Sequence, residues 1–266
     1  PAASPAELLR NTAARRLWLA WLDKLVRRWQ GRPNVLGWEI FSEVDLITGA
    51  SEDAAVDFVD SAARVVRAAD TGSRPITASL SGIRDWPKFF SSTATDFIQV
   101  HPYANIQPYN GNLDDLVLSV VRQRLQQYSK PVFIGESGLD SRAPVNTLTV
   151  AARAPVGIKH AIWAAAVSGA MNGRMLWFED GYDQYQQIDL RTKYKDASAA
   201  VARFTRDVNY SGFQPVAIAP NTSIKGGAVG TSELVLGWIR DAQCAAPDWP
   251  VRSLQGLTAT LTIAGQ

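Results

Sequence analysis

Apolar residues recur at near-helical spacing through 5–29, with Leu9, Ala13, Leu17, Ala20, Trp21, Leu25 and Trp29 along one side. That spacing predicts one amphipathic helix, ended by Arg32-Pro33. A dense apolar run over 34–45 then predicts a buried strand that runs into Glu39, Glu43 and Asp45. A second helical pattern covers 52–69, with Ala55, Phe58, Val59, Ala62, Val65 and Val66 on one face. Asp70-Thr71-Gly72-Ser73 closes it, and Gly72 suits a helix C-terminal cap. Further strands are predicted at 75–80, 96–103, 131–136 and 173–178, alternating with helices at 83–90, 113–128, 156–170 and 194–208. Five strands, each followed by a helix, predict a parallel sheet with helices packed on it. Their short apolar character fits strands covered on both faces.

The pattern changes after Tyr210. Strands at 214–219, 225–229, 233–239 and 257–263 are separated by Gly, Pro, Asn and Ser, with no helix between them. This predicts a small antiparallel β-sandwich, or part of one. The expected organisation is an α/β domain over 1–210 and a β-sandwich appendage over 211–266. The last strand reaches Gly265-Gln266 with no closing segment, so the appendage is expected to be truncated and the chain to be part of a longer one.

Composition narrows the function. At 266 residues and 46% hydrophobic, the chain can bury a large core. The formal net charge is +2 and the basic residues are scattered, which argues against a nucleic-acid partner. No apolar run approaches the roughly 18 residues of a membrane span. One cysteine and two histidines exclude an internal disulfide and argue against a histidine- or cysteine-rich metal centre.

The acids at the strand ends are the chemical signal. Strand period places Glu39, Phe41 and Glu43 on one face. An ionised carboxylate taken out of water is costly unless paired or used. Glu43 lies at the carboxyl end of its run. Glu136 has the same setting, at the end of Pro131-Val132-Phe133-Ile134-Gly135. Two glutamates at the carboxyl ends of parallel strands face one rim, where α/β-barrel enzymes place their catalytic groups. Glycoside hydrolysis needs such a pair, one carboxyl protonated to donate and one ionised to attack. Mutual repulsion separates their roles.

Trp38-Glu39-Ile40-Phe41-Ser42-Glu43 resembles the acid/base strand of the clan A retaining glycoside hydrolases, the group that includes family 5 and the family 39-like enzymes. Ile134-Gly135-Glu136-Ser137-Gly138 resembles their nucleophile strand. Gln99-Val100-His101-Pro102-Tyr103 resembles the sixth-strand motif, and Met175-Leu176-Trp177-Phe178 the eighth. The resemblance covers about 8–208, with the four motifs in the family's order. It implies a (β/α)8 TIM barrel of which this chain supplies strands four to eight. An upstream segment or a second chain would supply the rest. It also implies Glu43 as acid/base, Glu136 as nucleophile, Tyr103 as the hydrogen-bond donor to Glu136, and His101 and Trp177 lining the subsite. The substrate would be a β-linked poly- or oligosaccharide, attacked by an endo-β-glucanase or β-mannanase type of enzyme, with no metal or organic cofactor. A secreted or extracytoplasmic location follows from the same likeness. The chain departs from the family at Ser42, where an Asn usually contacts the sugar 2-hydroxyl.

Other residues have two readings. Trp86, Tyr109, Tyr182 and Tyr185 follow strand ends and are either sugar-stacking platforms or loop cover. Glu179 and Asp180 are either rim or loop charges or contacts to a sugar hydroxyl, and Asp45 reads as a rim or loop charge. Glu39 reads as a hydrogen-bonded interior group, while Trp18, Trp21, Trp29, Trp163 and His160 read as packing. Two alternative functions remain: a non-catalytic carbohydrate-binding relative, for which Ser42 speaks, and a serine hydrolase using Ser137. In the latter, Gly135-x-Ser137 is followed by Leu139, where the tight turn needs glycine. No phosphate-binding glycine loop follows a strand.

Overall fold

Asn11 interrupts the first predicted helix. Residues Pro5–Arg10 form α1 and Thr12–Trp29 form α2. Between them Asn11 leaves helical geometry, and its Oδ1 accepts from the N–H groups of Ala13 and Ala14, both at 3.0 Å. Asn competes for backbone hydrogen bonds and so favours a cap over a helix interior. Asn11→Ala is expected to lower stability by about 1 kcal/mol, read as the shift in a denaturant midpoint at unchanged slope.

The computed structural model describes residues 4–105, 107–139, 154–173 and 188–262. The chain forms two compact units, Pro1–His101 with Tyr128–Phe133, and Pro102–Gln127 with Ile134–Gln266.

In the first unit, β1 (Trp38–Glu39) pairs in parallel with β2 (Ile76–Thr77), Trp38 opposite Ile76 and Glu39 opposite Thr77. A parallel bridge from Ser79 to Gln99 leads to β3 (Ile98–Val100). β3 in turn neighbours β4 (Val132–Ile134), with Ile98 N–H donating to Pro131 at 2.9 Å. The ladders are shorter than the apolar runs that predicted them. The 34–45 run is paired over two residues only, then bends into a 3-10 turn, Val44–Leu46. It is not a buried strand, since Trp38 is half-buried and Glu39 exposed.

Helix α3 (Glu52–Ala69) follows its pattern from end to end. Ser51 accepts from Ala54 N–H, Glu52 and Asp53 occupy the first turn, and Phe58, Val59, Ala62 and Val66 are buried. These features satisfy the helix's orphan donors, favour its positive end and bury its apolar face. Trp18 of α2 packs on Phe58 with ring centroids 4.8 Å apart. Trp21 and Trp29 do not pack as expected; they are 55% and 41% exposed.

Asp70, not Gly72, terminates α3. Its carboxylate accepts from Trp38 Nε1 at 2.8 Å, from Gly72 N–H and from Arg74, tying the helix end to the β1–β2 pair. Burial pushes this carboxyl up, but the Trp38, Gly72 and Arg74 donors outweigh it and hold it below the usual range. The helix expected from Ile83 begins only at Pro87, forming α4 (Pro87–Ser91). The residue before a proline disfavours the helical region, so Trp86 is the boundary.

The second unit contains α5 (Leu113–Gln127), α6 (Ala154–Ala166), α7 (Ile188–Phe204) and a four-stranded antiparallel sheet. Its strands are β5 (Gln214–Ile218), β6 (Ile224–Gly230), β7 (Val235–Asp241) and β8 (Leu261–Thr262), in the order β7-β6-β5-β8. Leu118 of α5, Ala164 and Val167 from α6 and its end, and Val229 and Leu236 of the sheet form its buried core. Gly227 allows this close approach, because a Cβ there would lie 2.5 Å from Leu118 Cδ2. The strand expected at 173–178 falls largely outside the described residues. No helix among those described is long and apolar enough to cross a membrane.

Candidate active site

In the first unit, the residues after β1 deliver Glu43 to the carboxyl end of the sheet. Ser79 N–H donates to Phe41 at 3.0 Å, and Glu43 N–H donates to Ser79 Oγ at 2.9 Å. Glu43 adopts a left-handed backbone, φ 52° and ψ 52°. For a residue with a Cβ, such a conformation costs of order 1–3 kcal/mol and persists only where the surroundings impose it. The Ser79 bond and the 3-10 turn that follows supply that constraint.

The Glu43 carboxylate is held as well. Its Oε1 lies 2.8 Å from His101 Nδ1, and the imidazole is fully buried. On the far side of the ring, His101 Nε2 is 3.2 Å from Gln99 Nε2. Gln99 Nε2 also donates to Glu39 Oε1 at 2.6 Å, and Ser79 Oγ donates to the same oxygen at 3.0 Å. Gln99 and His101 are two residues apart on an extended segment, so both side chains point to one side. Glu39 is therefore part of a polar network, as its hydrogen-bonded reading expects, although it is exposed rather than interior.

In the second unit, the chain leaving His101 continues to Tyr103, which forms a parallel bridge with Gly138. Ala104 N–H donates to Gly138 at 3.0 Å, and Gly138 N–H donates to Pro102 at 3.3 Å. These bonds bring Tyr103 alongside the end of β4, and its hydroxyl donates to Glu136 Oε2 at 2.7 Å. Tyr103 is buried and Glu136 half-buried, so the carboxylate has a fixed partner without full loss of solvent. Upstream, the Asn172 side chain accepts from Ile134 N–H at 2.8 Å and donates to Ile134 C=O at 3.0 Å, as a neighbouring strand would.

Other sequence candidates divide. Ser42 is exposed and lines a cleft of about 410 Å³ with Trp18, Trp21, Trp38 and Glu39. Trp86 caps α4 and packs on Phe89 at 6.3 Å, with the Arg84 guanidinium 6.0 Å from its ring; it does not join the Glu43 network. Tyr109 donates to Ser119 Oγ at 2.9 Å. Asp45 is no rim charge, since its side chain is fully buried and paired with Arg84 at 2.7 Å. Trp177, Glu179, Asp180, Tyr182 and Tyr185 lie outside the described residues.

Ser137 is fully buried, whereas a nucleophilic serine must present its Oγ to substrate. His160 is committed to packing, 5.5 Å from Trp238 between ring centroids. Burial first, then the Arg240 and Lys159 charges, pushes it down to about 4, so it stays neutral near pH 7. Gln99, which the sixth-strand motif contains without a role, and Ser79, which no motif contains, join the hydrogen-bond network around Glu43. The two-residue spacing of Gln99 and His101 is the signal that could have found Gln99.

No family model matches the sequence, and no curated protein matches it. Solved structures similar to part of the chain include β-glucuronidase from Ruminococcus gnavus. It aligns at 18% identity with TM-score 0.39, covering 49% of this chain and 23% of that one. The same enzyme in complex with uronic deoxynojirimycin gives 18% identity and TM-score 0.38 over 49% and 23% of the two chains. In complex with uronic isofagomine, the figures are 18%, 0.38, 50% and 23%. The aligned part of this chain thus spans about a quarter of those structures, 23% of their length.

Proposed function

We propose that this chain carries the reacting carboxyls of a retaining β-glycoside hydrolase, with Glu136 as nucleophile and Glu43 as general acid/base. The observation that carries the reading is the extended segment ending in His101-Pro102-Tyr103. It supplies the imidazole that holds Glu43 and the hydroxyl that holds Glu136. Tyr103 was expected as the donor to Glu136 and His101 as a residue lining the subsite, and both acids follow short strands of a parallel run.

In the first step, a Glu136 oxygen attacks the anomeric carbon and the bond to the leaving oxygen breaks, while Glu43 gives its proton to that oxygen. In the second, Glu43 takes a proton from water, the water oxygen attacks the same carbon, and the bond to Glu136 breaks. Tyr103 fixes the rotation of Glu136, and His101 that of Glu43. The fuller fold reading belongs to the same proposal: strands four to eight of a (β/α)8 barrel completed by an upstream segment or a second chain, followed by a sandwich. A β-linked glucan or mannan is the expected substrate class.

The test is stereochemical. An aryl β-glycoside that is turned over should release sugar whose first-formed anomer is β, followed by ¹H NMR before mutarotation. An α first product, or no hydrolysis across aryl glycosides, β-glucan, mannan and xylan, overturns the assignment. A second reading, a binding protein without turnover, is favoured by Ser42, an exposed hydroxyl where the resembling enzymes carry an amide.

A further inference from the structure

Glu39 lies four residues before Glu43 and has two separate links to it. Its Oε1 accepts from Ser79 Oγ–H at 3.0 Å, and Ser79 Oγ itself accepts from Glu43 N–H at 2.9 Å. The same Oε1 accepts from Gln99 Nε2 at 2.6 Å, and that amide nitrogen also faces His101 Nε2 at 3.2 Å. His101 Nδ1 completes the relay to Glu43 Oε1 at 2.8 Å. One carboxylate oxygen therefore controls both the main chain and the side chain of Glu43.

The donor and acceptor inventory then fixes the direction of every bond. A carboxylate only accepts, so Gln99 must turn its NH₂, not its carbonyl oxygen, toward Glu39. An amide nitrogen only donates, and its second hydrogen is available to His101 Nε2, 3.2 Å away. That nitrogen must then be an acceptor without a proton. A neutral imidazole carries its proton on the other nitrogen, so Nδ1–H donates to Glu43. With the Gln99 amide reversed, its oxygen would oppose the Glu39 oxygen and call for a proton on His101 Nε2.

We infer that Glu39 is a positioning residue that sets the tautomer of His101 through Gln99, and thereby makes His101 a neutral Nδ1–H donor to Glu43. This rests on the reading of Glu43 as acid/base only for its consequence; the tautomer itself does not. A neutral donor steadies Glu43 while leaving it free to exchange its proton with substrate. An imidazolium there would form a full ion pair and oppose protonation of Glu43.

The test is ¹⁵N NMR of the imidazole in the folded full chain without substrate. The parent should show a pyrrole-type Nδ1 and a pyridine-type Nε2 for His101. In Glu39→Leu, the Gln99 amide is released to turn over, and Nε2 should shift to the protonated, pyrrole-type position. Glu39 is exposed, so the substitution leaves core packing alone, and unchanged backbone amide resonances of α3 report that the fold is kept. In a Gln99→Met background the coupling is cut, and adding Glu39→Leu should move neither nitrogen further. A pyridine-type Nε2 that persists in Glu39→Leu overturns the inference, as does a pyrrole-type Nε2 in the parent. The glycosidase reading fails on a different observable, the anomer or absence of product, so the two failures are distinguishable.

Discussion

Glu136→Gln is expected to lower turnover of an aryl β-glycoside by about 10⁴-fold or more while leaving oligosaccharide affinity within about threefold, a shift below 1 kcal/mol. The amide has nearly the shape of the carboxylate, and its oxygen can still accept from the Tyr103 hydroxyl, which stands 2.7 Å from Glu136 Oε2. Ground-state contacts are thus kept. In the proposed mechanism, what is lost is the pair of electrons that forms the bond to the anomeric carbon. Glu136→Gly extends the argument. The shortened side chain leaves room for azide, which should restore turnover and give the α-glycosyl azide, because attack then occurs once and from the nucleophile's face. Calorimetric titration with oligosaccharide and steady-state kinetics separate the outcomes. Activity of Glu136→Gln within about tenfold of the parent would remove Glu136 from the nucleophile role. Binding by a parent that turns over nothing would instead support the binding-protein reading.

How much of this was legible depended on the kind of signal each residue leaves. Helix α3 was readable to the residue because cap, first-turn acids and apolar stripe agree at Ser51, Glu52 and Phe58. Agreement of independent local signals is what makes a segment specify one structure. The strands at 34–45, 75–80, 96–103 and 131–136 were located but drawn too long, since apolar residues continue past the ladder, whereas β6 runs beyond the predicted 225–229 at both ends. Apolar character reports burial, not pairing. The break at Asn11 was hidden by an uninterrupted apolar stripe on either side, and only the asparagine's own capping chemistry gives it away. Glu43 and Glu136 were legible as acids at strand ends, Tyr103 as the donor to Glu136, and His101 as a residue lining the subsite but not as the partner of Glu43. The left-handed backbone at Glu43 was not, because a non-glycine residue leaves no mark in sequence of a conformation its neighbours impose. Ser79 was opaque for another reason, since it is an ordinary polar residue whose partners Glu43 and Glu39 lie 36 and 40 positions away; Glu39 was legible as hydrogen-bonded, but not that Gln99, 60 positions on, is its partner.

Arg240 and Asp114 set the largest expected effect on stability. Arg240 lies on β7 and Asp114 in the first turn of α5, their side chains each 3% exposed and joined at 2.5 Å from Nε to Oδ2. The guanidinium also donates from Nη1 to the carbonyls of Asp241 and Cys244, both at 3.0 Å, and Asp115 lies 3.4 Å from Nη2. Two charges have been withdrawn from water here, and their attraction offsets that desolvation only while both are present. Removing one partner leaves the other buried and uncompensated. Asp114→Leu and Arg240→Met are each expected to cost about 3–5 kcal/mol, read from denaturant unfolding. Their effects should differ, since in Arg240→Met the remaining Asp114 still sits at the positive end of α5. In Asp114→Leu, Arg240 keeps, among the described residues, Asp115 and two carbonyls, so that variant should be the less stable of the two. The double variant replaces the pair by apolar side chains and should be no less stable than either single one, giving a coupling of at least about 3 kcal/mol. Gly227 and Leu118 would still lock sheet against helix, so the double variant keeps the sheet docked. Single variants within about 1 kcal/mol of the parent, or strictly additive losses, would mean that the apolar core, not the ion pair, holds β7 on α5.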